Sequence, residues 1–171
     1  MDTTTTMTAE RADLLESLEV HRAFLRQTLA GITDEQARLR PTASTLSLGG
    51  LLKHVSLTEA RWIDFILDGP AVMAMTPESY ADHSRGFELQ DGETVVGLLE
   101  EYDRVAARTA EVLASLPDLD AVQPLPEAPW FPAGATRSAR RVFVHIVAET
   151  AQHAGHADII RETIDGARTM G

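Results

Sequence analysis

Glu149 and His153 stand four residues apart in a stretch of helical periodicity, so a carboxylate and an imidazole share one helix face. The same stripe carries Val142, Ile146, Ala157 and Ile160. Polar groups in line with core residues need a partner, because burying them unpaired costs on the order of a few kcal/mol. A divalent metal ion is one such partner. Zinc and similar ions take neutral imidazole and carboxylate, and catalytic sites commonly use three protein ligands with one position left open. His54, on the apolar face of an earlier helix, is the expected third ligand. The expected triad is therefore His54, Glu149 and His153, with an open position where a water or an anionic thiolate binds.

Other pairings of the same residues are possible. His145 lies four residues before Glu149, and His156 three after His153. His153 and His156 can act as the ligand pair, with Glu149 orienting an imidazole. Glu149 and His153 can also form a plain i,i+4 ion pair, worth only about 0.2–0.5 kcal/mol on an isolated helix. Competing templates fail. The chain has no His-Glu-x-x-His motif, no duplicated Glu-x-x-His, no phosphate-binding glycine loop and no nucleophile elbow around Ser44, Ser47 or Ser56. Trp130 and Phe131 lie between prolines in a long connection and serve either as a wall or lid for an apolar substrate, or as a plug or dimer contact. Arg61 can meet an anionic substrate or sit solvated and ion-paired. Arg137, Arg140 and Arg141 open the last helix, the wrong end for its dipole, and are expected to pair with acidic neighbours.

The elements that must position these groups follow from the apolar pattern. Leu14, Leu18, Leu25 and Leu29 mark a first long helix over about 9–30, with His21 on its stripe. Thr33 and Gln36 form a capping box for a short helix, Asp34 to Arg40, stopped by Pro41. Ser47 caps a second long helix that ends at Gly69-Pro70, with Leu51, His54, Val55, Thr58, Trp62, Phe65 and Ile66 facing inward. Thr76-Pro77 signals a further short helix before His83. Asp91 is the expected cap of a third long helix carrying Val95, Leu99, Tyr102, Ala106, Thr109 and Leu113, closed by Pro117. A Pro-rich connection from Asp118 to about Ala135 leads to the fourth helix, which starts near Thr136 to Ser138 and ends at Asp165-Gly166. No strand pair is expected. Residues 1–8 read as a loose tail and 9–166 as one domain. A plain up-down bundle needs only short loops, so these long connections predict crossover topology with parallel neighbours.

Composition narrows the function classes. Aromatics are 5% while Ala, Leu and Glu abound, which favours helix over sheet. A net charge of −11 argues against a nucleic-acid footprint and against an anionic membrane surface. The absence of cysteine excludes disulfides, thiolate metal sites and a cysteine nucleophile. With no signal peptide and no apolar run long enough to span a bilayer, a cytoplasmic location is expected.

Two segments carry a family resemblance. Leu48-Gly49-Gly50-Leu51-Leu52-Lys53-His54, followed by Glu59 and Arg61-Trp62, resembles the second helix of the DinB-like proteins. Glu149-Thr150-Ala151-Gln152-His153-Ala154-Gly155-His156-Ala157-Asp158, followed by Arg161-Glu162, is similar to their fourth helix, in a branch defined only as a domain of unknown function. The resemblance covers most of the chain. It implies an all-α, four-helix bundle with crossover connections, often a homodimer, and a divalent metal, commonly zinc or nickel, at the bundle mouth. Many members use three histidines; the mycothiol-dependent maleylpyruvate isomerases use a His, Glu, His set, which His54, Glu149 and His153 match. The isomerase's extra C-terminal domain does not fit in this length, so isomerase activity is not expected. The resemblance implies instead a metal-dependent transferase acting on a low-molecular-weight thiol of the mycothiol type. The rival expectation is a non-catalytic metal-binding or stress-related module that engages a protein partner.

Overall fold

Hydroxyl side chains start every α-helix among the residues that the computed structural model describes, 7–74, 86–128 and 131–169. Thr8 caps α1 (Ala9–Thr28), Thr33 caps α2 (Asp34–Arg38), Ser47 caps α3 (Leu48–Asp68), Thr94 caps α4 (Val95–Ser115) and Ser138 caps α5 (Ala139–Asp165). Each accepts a hydrogen bond from a first-turn N–H that has no partner within the helix. The capping box of Thr33 and Gln36 forms in full, and Gly166 closes α5 in the left-handed conformation. A 3₁₀ turn, Pro70–Met73, follows α3.

Four points differ from the sequence reading. Thr8 belongs to the first helix as its cap rather than to a tail. Asp91 does not cap α4: Asp91 and Gly92 form a turn with Gly92 at φ 85°, Glu93 binds back to the Gln90 N–H, and the next hydroxyl, Thr94, takes the cap. A strand pair does exist, β1 (Val122–Pro124) antiparallel to β2 (Thr136–Ser138), with Gln123 opposite Arg137. Three-residue strands are too short for a two-residue alternation to register. Arg22 rather than His21 takes the buried position on α1, since it lies four residues after Leu18 and three before Leu25; His21 is half-buried beside Phe24. The short helix expected after Thr76-Pro77 falls outside the described residues.

Bonds at both ends of the long helices give their directions. Arg140 of α5 pairs with Glu10 of α1, while Arg161 donates to the Thr28 and Ala30 carbonyls, so α1 and α5 run parallel. Lys53 of α3 pairs with Glu93 just before α4, and Asp64 with Arg108, so α3 and α4 run parallel. Arg11 at the start of α1 donates to Leu113 and Leu116 at the end of α4, which sets the two parallel pairs antiparallel. This is an all-α crossover bundle in which α3 packs against α4 and α5, and α1 against the same two.

The core has two apolar halves. One gathers Leu25, Leu51, Leu52, Tyr102 and Ile160; the other gathers Leu18, Phe65, Leu113, Phe143 and Ile146. Between them lies a layer of buried polar residues drawn from all four long helices: Arg22, Glu59, Thr109 and Thr150. Arg22 binds both Glu59 oxygens, Thr109 donates to Glu59, and Thr150 donates to the Ile146 carbonyl. Burial alone lowers the Arg22 pKa, but the charge and hydrogen bonds of Glu59 outweigh it and the net shift is upward. The Arg22 guanidinium therefore keeps its charge at the centre of the bundle.

Gly49 and Gly50 let the segment after Gly86 lie directly on α3. A Cβ on Gly49 would overlap the Leu89 side chain, and one on Gly50 would overlap the Phe87 carbonyl oxygen. Side-chain ends can swing away; a carbonyl cannot without moving the chain. Gly50→Ala is therefore expected to displace the Phe87 segment, with a loss of about 1–3 kcal/mol typical of overpacking. Chemical denaturation measures that loss, and a stability equal to the parent's shows that the close approach is not required.

Candidate metal and substrate site

The antiparallel packing of α3 on α5 brings His54 to the Glu149–His153 pair. Donor atoms of His54, Glu149 and His153 all lie within 4.8 Å of one another. His153 Nε2 is 3.4 Å and His54 Nε2 4.0 Å from the same Glu149 oxygen, Oε2. All three side chains are partly exposed, in a groove beside the central polar layer rather than on the core stripe. That stripe passes instead through Ile146, Thr150, Ala154 and Ala157, so Glu149 and His153 sit at its edge. A residue one position off the core axis of a helix is close enough to appear on the stripe in a sequence and far enough round to meet solvent.

The flanking histidines are both in contact with this group. His145 Nε2 approaches the second Glu149 oxygen, Oε1, at 3.7 Å. His156 Nδ1 lies 3.4 Å from His153 Nδ1, so His153 turns Nε2 toward Glu149 and Nδ1 toward His156. His54 is held from two sides: the Phe87 ring stacks on it at 3.9 Å, and the His153 ring meets it edge-on at 4.9 Å. Phe87 had no sequence signal, because its role comes from a segment that crosses α3 on two glycines.

Electrostatics favour an ionised Glu149 and a neutral His145. The hydrogen bond from His153 holds the Glu149 carboxyl below its usual range, against the opposing effect of burial, and the charges of His145, His153 and His54 add to it. Burial pushes the His145 imidazole down, favouring its neutral form. Both groups have folded-state pKa values below their unfolded ones. Their stabilisation is present above the ordinary values of 6.5 for His145 and 4.5 for Glu149, and is lost as pH falls through the lowered values. The metal-free protein is expected to melt at lower temperature at pH 5 than at pH 7.5, with Glu149→Gln removing the most acidic part of the dependence. A flat melting profile over pH 4–7.5 contradicts this.

The donor set fits a divalent metal ion: two imidazoles and one ionised carboxylate. Two donors at roughly 2.0–2.1 Å from a tetrahedral zinc ion are roughly 3.3–3.4 Å apart. The observed 3.4 and 4.0 Å come near that spacing.

A cavity of about 440 Å³ opens beside His54 and runs along α3 past Thr58, Arg61 and Trp62, closed opposite by Met73, Pro126 and Phe131. Phe131 thus forms part of an apolar wall; Trp130 falls outside the described residues. The basic run at the start of α5 divides. Arg140 pairs with Glu10 and Asp120, as expected. Arg137 pairs with no carboxylate among the described residues: its guanidinium lies 4.6 Å from the Trp62 ring centroid and 5.6 Å from that of Phe131. β2 aims it inward rather than letting it follow the helix surface. Burial lowers its pKa, as does Arg141, while Glu149 opposes them.

A sequence model of the Mycothiol-S-transferase family matches residues 13–166, nearly the whole bundle. The chain belongs to the Mycothiol-S-transferase family. This family is DinB-like, in agreement with the two helical segments that carried the resemblance. A crystal structure of a conserved protein from Enterococcus faecalis is similar in fold, with a TM-score of 0.62 and 17% identity, covering 90% of this chain and 96% of that one. No curated protein matches significantly. None of the helices among the described residues is long and apolar enough to cross a membrane.

Proposed function

We propose that this member of the Mycothiol-S-transferase family is a divalent-metal-dependent enzyme that joins a low-molecular-weight thiol to an electrophile. The observation that carries the reading is the convergence of His54, Glu149 and His153 donor atoms within 4.8 Å, at one end of an apolar cavity. His54, Glu149 and His153 would hold the ion, zinc or nickel. The bound ion supplies Lewis acidity that favours the ionised form of that thiol. Glu149 contributes the anionic donor and is kept ionised by His153. His156 fixes the ring orientation of His153 through its Nδ1, and Phe87 fixes that of His54. Trp62 and Phe131 shield the electrophile from water, so that sulfur rather than water reaches its carbon. One S–C bond forms as the bond from that carbon to the electrophile's leaving group breaks; the leaving group departs with the electron pair and the thiol proton passes to solvent. The resemblance to DinB-like proteins supports a homodimer as the working form.

Incubating the zinc- or nickel-loaded protein with mycothiol and a chromogenic electrophile is expected to yield the thioether at a rate well above the uncatalysed one. Stripping the metal with a chelator is expected to abolish the excess, and restoring it to return it. Equal rates with stripped and loaded protein overturn the metal-dependent reading.

A further inference from the structure

The cavity beside His54 is apolar over most of its wall, yet it carries a cation that no described carboxylate neutralises. Arg61 lines it and has no carboxylate partner among the described residues. The acidic residue nearest in sequence on the same wall, Asp64, is already bonded to Arg108 at 2.6 Å. Arg137 stands behind the Trp62 and Phe131 rings and adds a second positive charge on that side; its Nη1 is buried without a hydrogen-bond partner. The chain as a whole carries −11, so an anion is repelled by most of the surface and attracted here. Guanidinium groups in partly dry surroundings bind carboxylates through charge-assisted, often bidentate, hydrogen bonds.

His54 and Arg61 mark the two ends. They lie on one face of α3, two helical turns apart, roughly 10 Å along the axis. Thr58, one turn beyond His54, lines the cavity between them.

We infer that the cavity selects an electrophile with an apolar body and a carboxylate, the carboxylate held by Arg61 and the reacting carbon placed at the His54 end. The inference rests on the transferase reading only for which end reacts. Arg61 is a specificity residue, and Arg137 contributes field rather than a contact. A neutral electrophile of the same shape still enters but loses its anchor.

The test is the binding of an unreactive matched pair, 4-phenylbutyrate and 4-phenylbutyramide, to the full-length protein by calorimetry, in zinc-loaded and metal-stripped forms and without thiol. The acid is expected to bind about tenfold more tightly than the amide in both forms. Arg61→Gln is expected to erase that preference and Arg61→Lys to keep part of it. Equal binding of acid and amide to the parent overturns the inference without recourse to any variant. So does a preference that survives in Arg61→Gln, which places the carboxylate elsewhere, or one that disappears on metal removal, which makes the ion the carboxylate's ligand. If thioether formation fails while the acid preference stands, the transferase reading falls and the anion-selective cavity remains. If thioether forms and the acid preference is absent, the reverse holds.

Discussion

Glu59→Ala is expected to destabilise the bundle by about 3–5 kcal/mol, because it removes the buried carboxylate that pairs with the Arg22 guanidinium. Both side chains of the pair are fully buried. The neighbours cannot compensate: Thr109 donates to Glu59 and so loses its acceptor together with Arg22, while Glu19 contacts only one Arg22 nitrogen from the protein surface. Glu59→Gln keeps the shape and one acceptor oxygen but leaves the cation unneutralised, so an intermediate loss is expected. Replacing both partners by apolar residues of similar volume, Arg22→Met with Glu59→Leu, is expected to recover most of the stability, since neither desolvated charge is then present. Urea denaturation of the four proteins decides the matter. A Glu59→Ala loss below about 1 kcal/mol, the range of exposed pairs, removes the central layer from the list of what holds the fold.

Removing a proposed metal ligand is expected to act on a different quantity. His153→Ala and His54→Ala should each abolish stoichiometric zinc or nickel and lower thioether formation by more than the roughly 10–100-fold that loss of an outer partner costs. His156→Ala, which removes only the contact to His153 Nδ1, is the internal measure of that smaller effect. The fold itself should persist, because these side chains sit in a half-open groove and none belongs to either apolar half of the core. The readout independent of turnover is melting temperature. An ion present at 100 times its dissociation constant stabilises the parent by about 2.7 kcal/mol. The parent is expected to melt higher with added zinc or nickel, and the two ligand variants are not. Variants that gain as much as the parent, and retain the ion on elemental analysis, refute the triad.

The two sets of variants separate the layer that holds the bundle from the groove that opens beside it. The two lie close together along the same helices: Glu149 and Thr150 are adjacent in α5, one facing the groove and one the core. Polar residues on an apolar stripe therefore had two different explanations in this chain. Arg22 and Glu59 each occupy a stripe position, four residues after Leu18 and Val55 and three before Leu25 and Trp62. That was a legible signal of buried charge, and it is the structure that shows the two spend it on each other across the bundle.

Local chemistry was enough to determine the helices and most of their ends. Ser47, Ser138 and the Thr33–Gln36 box act within one turn of the chain, and the glycines at 69 and 166 terminate what those caps begin. The i,i+4 placement of Glu149 and His153 is likewise a property of any helix. The long connections were enough to imply parallel neighbours. Short-range pattern failed where the deciding contact was remote. The strands at Val122 and Thr136 exist only because each finds the other across a Pro-rich loop. Arg137 looked like one of three surface arginines until β2 turned it onto Trp62. His54 could be named as a candidate ligand from its face of α3 and from family resemblance, but its distance to Glu149 is a product of how α3 and α5 pack. Periodicity sets which face a residue occupies on its own helix; only packing sets the rotation and offset between two helices. That offset, together with the Phe87 segment seated on Gly49 and Gly50, is what places an imidazole from one helix 4.0 Å from a carboxylate on another.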